Sequence, residues 1–332
     1  MSDGTAATMA SAGAAADEVV HDFAPLLVVY KSGRLERPIP MPLVPPGHDA
    51  ATVVESKDVH ISSSTFVRLY LPPAAAAATS GKRLPILVYF HGGGFVIGSA
   101  AAAAYHRCLN DLAAACPAVA VSVDYRLAPE HPLPAAYEDA LAALRWTLSA
   151  ADPWLAEHGD LERVFLAGDS AGGNICHHLA MHPDISRGRL IKGAVLIHPW
   201  FSGKDPIDGE PRGASAEKDL WEFVCPGTVD GVDDPRMNPT APGAPALDRL
   251  ACGKVMVCVA ERDALRWRGV AYAEAVARAR GSGSGPDADA DHPGAVELFE
   301  SEGVGHVFYL LEPKTEKAAE LLRRIAAFVG AE

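Results

Sequence analysis

Val164-Phe165-Leu166-Ala167-Gly168-Asp169-Ser170-Ala171-Gly172-Gly173-Asn174 reads as a short apolar strand, a tight turn and the first residues of a helix. The Gly-x-Ser-x-Gly at its centre has a steric logic. A serine on a strand-to-helix turn is pushed into strained φ/ψ, and glycine two residues to either side leaves room for that turn. The turn holds Oγ clear of the strand, at the positive end of the following helix. A bare Gly-x-Ser-x-Gly is common by chance. The strand before it, the helix after it and the additional Gly173 separate this one from a flexible turn.

A second glycine run, Tyr89-Phe90-His91-Gly92-Gly93-Gly94-Phe95, follows another predicted strand. Consecutive glycines let backbone N–H groups approach a substrate oxygen without side-chain obstruction. Attack on an ester carbonyl develops negative charge on that oxygen, and one lost donor costs about 10²–10³ in rate. Gly92, Gly93 and Gly94, with the N–H of Ala171, are assigned to this oxyanion hole, Gly92 as the residue that shapes its turn. A phosphate loop would need GxGxxG or GxxxxGK[ST], and neither is present.

Outward from these two motifs, short apolar strands alternate with helices. The strands are read at Ile86–Phe90, Ala118–Asp124, Val164–Ala167, Ile191–His198, Val255–Ala260 and Val296–Glu300. An antiparallel pair, Thr52–Ile61 and Thr65–Leu71, brings the expected sheet to eight strands. Helical stripes fall on Tyr137, Leu141, Leu144 and Leu148, and on Ala318, Leu321, Leu322, Ile325 and Val329. Alternating β and α means a mostly parallel sheet with helices on both faces. Residues 1–17 read as a disordered low-complexity tail and 18–330 as a single domain. Arg37–Pro46 holds five prolines and reads as an extended connector. Residues 201–250 break the alternation and are long for a crossover; with 18–50 they are read as a lid. Pro72–Gly81 and Gly281–Pro293 read as surface loops.

A serine hydroxyl is a poor nucleophile until a base removes its proton, and thirteen histidines compete for that task. The strand–serine–helix turn resembles the nucleophile elbow of α/β hydrolases, where the chain order is Ser, then Asp or Glu, then His, each on a loop at a strand's C-terminal end. The strand ending at Ala260 leads into Glu261-Arg262-Asp263, and the next one runs into Gly303-Val304-Gly305-His306. Asp263 and His306 are therefore the expected acid and base, with Glu261 as the rival carboxylate. His198, at a strand end, is a weaker alternative base. His177, His178 and His182 lie on the serine's own helix and read as packing or surface residues.

Four motifs in this order resemble the hormone-sensitive-lipase-like group of α/β hydrolases, and most closely the plant carboxylesterases. They are His91-Gly92-Gly93-Gly94-Phe95, Asp124-Tyr125-Arg126-Leu127-Ala128-Pro129-Glu130, Gly168-Asp169-Ser170-Ala171-Gly172-Gly173-Asn174 and Gly303-Val304-Gly305-His306-Val307-Phe308. The resemblance implies an α/β-hydrolase fold, a lid of N-terminal helices plus an inserted segment, and a structural role for Asp124 to Glu130. It implies a serine carboxylesterase acting on small to medium carboxylic esters through an acyl-enzyme, with no cofactor and no metal. Pocket walls are expected from Phe23, Phe95, Trp200, Phe201, Trp221 and Phe308. The group also holds the gibberellin receptor, which has lost the catalytic histidine, and 2-hydroxyisoflavanone dehydratases, in which Thr commonly replaces the serine. His306 and Ser170 argue for hydrolysis over either alternative.

Composition sets outer bounds. Hydrophobic residues make up 49% of the chain and charged ones 21%, which excludes disorder over the whole length. The formal charge of −13 disfavours nucleic acid as a partner. No apolar run reaches the ~20 residues that span a bilayer. Six cysteines without CxxC spacing read as reduced, buried thiols. Met1 to Asp17 shows neither a signal peptide nor an Arg-rich transit peptide, so the expected location is cytoplasmic. A small-molecule ester is the one partner expected.

Overall fold

All seven residues of the strand Leu84–Phe90 are buried, because a central strand of a parallel sheet is covered on both faces. The computed structural model describes residues 17–73, 83–188, 191–210, 216–281 and 295–331. The low-complexity tail and the two surface loops read from the sequence lie largely outside these residues. The strands are β1 Val19–Phe23, β2 Leu27–Tyr30, β3 Leu35–Glu36, β4 Glu55–His60, β5 Phe66–Leu71, β6 Leu84–Phe90, β7 Val119–Asp124, β8 Gly159–Asp169, β9 Ile191–Ile197, β10 Cys252–Ala260 and β11 Val296–Ser301. Eight of them form one sheet in the order β11-β10-β9-β8-β6-β7-β5-β4. Every neighbouring pair is parallel except β4 with β5 and β5 with β7. The sheet matches the one expected, including the antiparallel pair at its edge.

β8 runs between β6 and β9, with Gly168 opposite Phe90 on one side and Leu196 on the other. The C-terminal ends of β6, β8, β9 and β10 therefore open onto one edge of the sheet. Helices cover both faces. Glu316–Gly330, capped by Thr315 Oγ1 accepting from Ala318 N at 3.3 Å, buries Ala318, Leu321, Ile325 and Val329 of the stripe read from the sequence, with Leu322 half-buried. The helix Ala135–Leu148 differs from expectation. Its buried face runs through Ala136, Ala140, Ala143, Leu144 and Thr147, while Leu141 and Leu148 are only half-buried. Small residues let this helix approach its neighbour closely, and Tyr137 Oη reaches Asn174 Oδ1 at 2.7 Å. All six cysteines are free and buried.

The described residues fall into two units, divided between Pro40 and Met41. The first contains β1, β2 and β3 as an antiparallel sheet with Phe23 opposite Leu27. Helices were implied here. Instead Val19-Val20 and Val28-Val29 flank the Ala24-Pro25-Leu26 turn, and β-branched pairs around a proline turn favour a hairpin. In the second unit, the described residues of 201–250 hold one helix, Ala216–Val224, and two 3₁₀ turns, Gly231–Asp233 and Leu247–Arg249. It is tied down by Leu133 N donating to Val224 O at 2.8 Å and by Asn174 Nδ2 donating to Arg236 O at 2.7 Å. Among the described residues, no helix is long and apolar enough to cross a membrane.

The antiparallel edge contains one costly group. Arg68 on β5 is 1% exposed and sits opposite Asp58 on β4, with Nε–Oδ1 at 2.7 Å and Nη2–Oδ2 at 2.8 Å. Removing one partner of such a pair strands a buried charge. Asp58→Ala is expected to lower the free energy of unfolding by about 3 kcal/mol, read from urea denaturation. An unchanged midpoint would contradict this role.

Candidate active site

Ser170 sits at φ 52° and ψ −115°, a left-handed backbone that costs a non-glycine residue on the order of 1–3 kcal/mol. Three main-chain bonds hold it there. Its N–H donates to Ile197 O at 2.9 Å, and its carbonyl accepts from Trp200 N at 2.9 Å and Asn174 N at 3.1 Å. The flanking glycines are required by close approach. A Cβ on Gly172 would collide with the Phe90 carbonyl, and one on Gly168 with the Gly172 backbone. Ser170 is 8% exposed. Among the described residues no hydrogen bond joins its Oγ to His306; catalytic hydrogen bonds without substrate are often long and tighten in the complex.

The glycine loop, the candidate oxyanion hole, leaves β6 at His91. Gly93 and Gly94 adopt φ 106° and 60°, and their N–H groups, like that of Ala171, have no partner among the described residues. Gly92 is a correction: its N–H donates to Tyr105 Oη at 2.8 Å, so it is not a free donor. Tyr105 Oη in turn donates to Asp169 Oδ2 at 2.9 Å, and Tyr89 Oη donates to Asp169 Oδ1 at 2.8 Å while meeting Tyr309 Oη at 3.0 Å. Asp169, 1% exposed, thus ties the residue before the nucleophile to the glycine loop and to Tyr309, three residues past His306. These tyrosines were missed in the sequence. The Asp124 to Glu130 stretch is scaffolding: Asp124 Oδ1 accepts from Ser99 Oγ at 2.6 Å, Tyr125 Oη donates to His91 O at 2.6 Å, and Arg126 pairs with Asp139 at 2.8 Å.

The histidine loop follows β11 and the acid loop follows β10. His306 Nδ1 meets Asp263 Oδ2 at 2.7 Å. Burial alone would raise the Asp263 carboxyl, but the hydrogen bond and charge of His306 and the Leu265 N–H hold it below the usual range. Glu261 has another task, accepting from Gly303 N at 2.7 Å, so it clamps the histidine loop while Asp263 meets the imidazole. His198 Nδ1 accepts from Val307 N at 2.9 Å. Single ligand atoms from His198, Asp263 and His306 lie within 4.8 Å of one another. The Asp263 oxygens and both Nδ1 atoms already hold hydrogen bonds, which leaves the cluster poorly suited to share a cation.

The remaining histidines of the serine helix pack as expected. His177 Nδ1 meets Tyr272 Oη at 3.1 Å, and His178 stacks on Tyr137 at 4.0 Å. Of the aromatics expected to line the pocket, Phe95, Trp200, Phe201, Trp221 and Phe308 are at most 5% exposed. Phe95 packs on Trp200, Trp200 on Trp221 and Phe201 on Tyr272, which makes them a rigid backing for the loops. Phe23 belongs to the N-terminal unit.

Burial pushes the Asp169 carboxyl up to about 6 from 3.8, although the Tyr89 and Tyr105 hydrogen bonds and the charge of His306 pull it down. A carboxyl with a raised folded value contributes stability that is present below its unfolded pKa and is lost as pH rises through its folded pKa. Between about pH 4 and about pH 7, wild type should therefore lose Tm relative to Asp169→Asn. A Tm difference independent of pH would contradict the buried, ionising Asp169.

A family model described as alpha/beta hydrolase fold matches residues 87–310. The chain is 41% identical over 326 residues to tuliposide A-converting enzyme 1, chloroplastic, of Tulipa gesneriana, covering 95% of this chain and 79% of that protein. It is 40% identical to probable carboxylesterase 13 of Arabidopsis thaliana (94% and 98% covered) and 39% identical to the 2-hydroxyisoflavanone dehydratase of Glycyrrhiza echinata (94% and 96%). Among solved structures, an esterase of Pyrobaculum calidifontis superposes with a TM-score of 0.66 at 31% identity, covering 86% of each chain. The cytoplasmic expectation is corrected by the tulip relatives, which are chloroplastic or amyloplastic. It rested on reduced cysteines and on Met1 to Asp17 lacking signal-peptide and Arg-rich transit features, and reduced thiols do not separate cytosol from plastid. The fold, the chain order of the site and these matches agree: the chain belongs to the alpha/beta hydrolase fold family, in the hormone-sensitive-lipase-like group that holds the plant carboxylesterases.

Proposed function

We propose that this carboxylic ester hydrolase works as a serine esterase, with Ser170 as nucleophile, His306 as base and Asp263 as the acid that orients it. The observation that carries the reading is the 2.7 Å bond between His306 Nδ1 and Asp263 Oδ2, on strand-end loops beside the strained Ser170 turn. With its Nδ1 proton directed at the carboxylate, the neutral imidazole presents the Nε2 lone pair as the base. Asp263 stays ionised because His306 holds its carboxyl down, and it stabilises the imidazolium that forms.

Ser170 Oγ attacks the ester carbonyl as its proton passes to His306 Nε2. The oxyanion accepts hydrogen bonds from the N–H groups of Gly93, Gly94 and Ala171. Collapse breaks the C–O bond, the alcohol leaves with the proton from His306, and Ser170 carries the acyl group. Water activated by the same imidazole then attacks, and carboxylic acid and free Ser170 are regenerated. The described residues of 201–250, tied to Asn174 and Leu133 through Arg236 and Val224, are read as the cover, and the substrates as small to medium esters. No cofactor is needed for these steps.

Ser170→Ala is expected to lower kcat on a chromogenic short-chain ester by about 10⁴-fold or more, with His306→Ala similarly damaging. Asp263→Asn should cost about 10⁴-fold by imposing the wrong tautomer, whereas Glu261→Gln should remain close to wild type. Near-wild-type turnover by Ser170→Ala would remove it from the mechanism. A harmless Asp263→Asn beside a crippling Glu261→Gln would overturn the acid. A dehydratase would instead release water from a hydroxyflavanone-type substrate, and a receptor would bind a small acid or lactone without turnover.

A further inference from the structure

His198 stands one residue beyond β9, the strand between nucleophile-bearing β8 and acid-bearing β10. Its backbone is tied toward both. Its N–H donates to Cys258 O at 2.8 Å, and the carbonyl before it, on Ile197, accepts the Ser170 N–H at 2.9 Å. It is held at φ 46°, a conformation uncommon for a non-glycine residue and maintained only where the surroundings impose it. That turn carries an imidazole only 1% exposed to the histidine loop. There Nδ1 lies 2.9 Å from the nitrogen of Val307, which is itself at φ 46°.

A main-chain N–H pointing at Nδ1 requires a lone pair on that atom. The ring is then neutral and carries its proton on Nε2. This arrangement excludes His198 as the base, because Nδ1 is occupied and Nε2 is buried without a partner. The groups facing the ring are His306 at 5.7 Å, Phe308 at 5.9 Å and Tyr309 at 6.2 Å between centroids, with Asp263 nearby. Burial first, and then the neighbouring His306, push His198 down to about 3. A charged His198 would lose the acceptor and set a second cation beside the imidazolium of His306.

We propose that His198 is a positioning residue: by accepting the Val307 N–H it holds the peptide that follows His306 and so aims the catalytic imidazole. The inference rests on His306 being the base. A misplacement of about 1 Å at a reacting group can cost about 10²-fold, so one hydrogen bond at this peptide has leverage on turnover.

Two substitutions and one spectrum test it. His198→Leu removes the acceptor and is expected to lower kcat by about 10- to 100-fold with KM little changed. His198→Asn, whose amide oxygen can stand near the position of Nδ1, should recover most of that loss. In the wild-type protein, ¹⁵N spectra of the histidine rings should show one ring, lost in His198→Asn, that stays neutral with its proton on Nε2 across the titration of the others. A folded His198→Leu with wild-type kcat would overturn the proposal, as would a His198 that is charged or Nδ1-protonated at neutral pH. If the Leu and Asn variants were both as inactive as His306→Ala, His198 would be acting in proton transfer itself, which also overturns it. Full activity in His306→Ala would instead sink the assignment of the base. If neither variant folds, a His198→Gln variant supplies the assignment and the ring spectrum decides.

Discussion

Only a hydrogen fits between the Cα of Gly172 and the carbonyl oxygen of Phe90, and this contact decides where the Ser170 turn can lie. Phe90 is the last residue of β6, and the next residues are the glycine loop proposed to form the oxyanion hole. The helix that starts at Ala171 is therefore seated directly on the strand end that presents Gly93 and Gly94. Ser170 lies between Gly168 and Gly172, both pressed against backbone, and its left-handed φ has no room to relax. The strain is on the order of 1–3 kcal/mol, small beside the burial of the central strands β6 to β10, which is why the fold can sustain it.

The proposed catalytic groups come from three strand ends, and two kinds of tie hold them in register. One is the buried carboxylate of Asp169, bonded through Tyr105 to Gly92 and through Tyr89 to Tyr309. It draws the elbow, the glycine loop and the helix after His306 to a common point. The other is a set of short main-chain clasps on the histidine loop. Glu261 holds Gly303, Arg262 N donates to Val304 O at 2.9 Å, and His198 holds Val307. Buried polar groups are expensive when unpaired and specify geometry when satisfied. Here they fix loops that would otherwise drift relative to one another.

Much of this was legible in the sequence, for identifiable reasons. Strands buried on both faces are continuous apolar runs, so β6, β7, β9 and β10 stood out, and the order of Ser170, Asp263 and His306 followed from their positions at strand ends. What failed depended on contacts between distant residues. Tyr105 takes the Gly92 N–H from a helix, and no local pattern announces that. The face of the helix Ala135–Leu148 shifted because alanines pack closer than the leucines that mark its periodicity. β1 to β3 are too short for a period to emerge, and the aromatics of the core and of a pocket look alike until burial is known. Asp263 was preferred to Glu261 from the sequence, but the task of Glu261 on Gly303 N was visible only once the loops were in place.

The account centres on one activated hydroxyl. The most direct measurement is treatment of the intact protein with a fluorophosphonate, followed by peptide mass spectrometry to locate the adduct. A single phosphonyl group on Ser170, formed rapidly in wild type and much more slowly in His306→Ala, is the expected result. An adduct elsewhere with Ser170 unmodified, or an active enzyme that the reagent neither labels nor inhibits, would contradict the account.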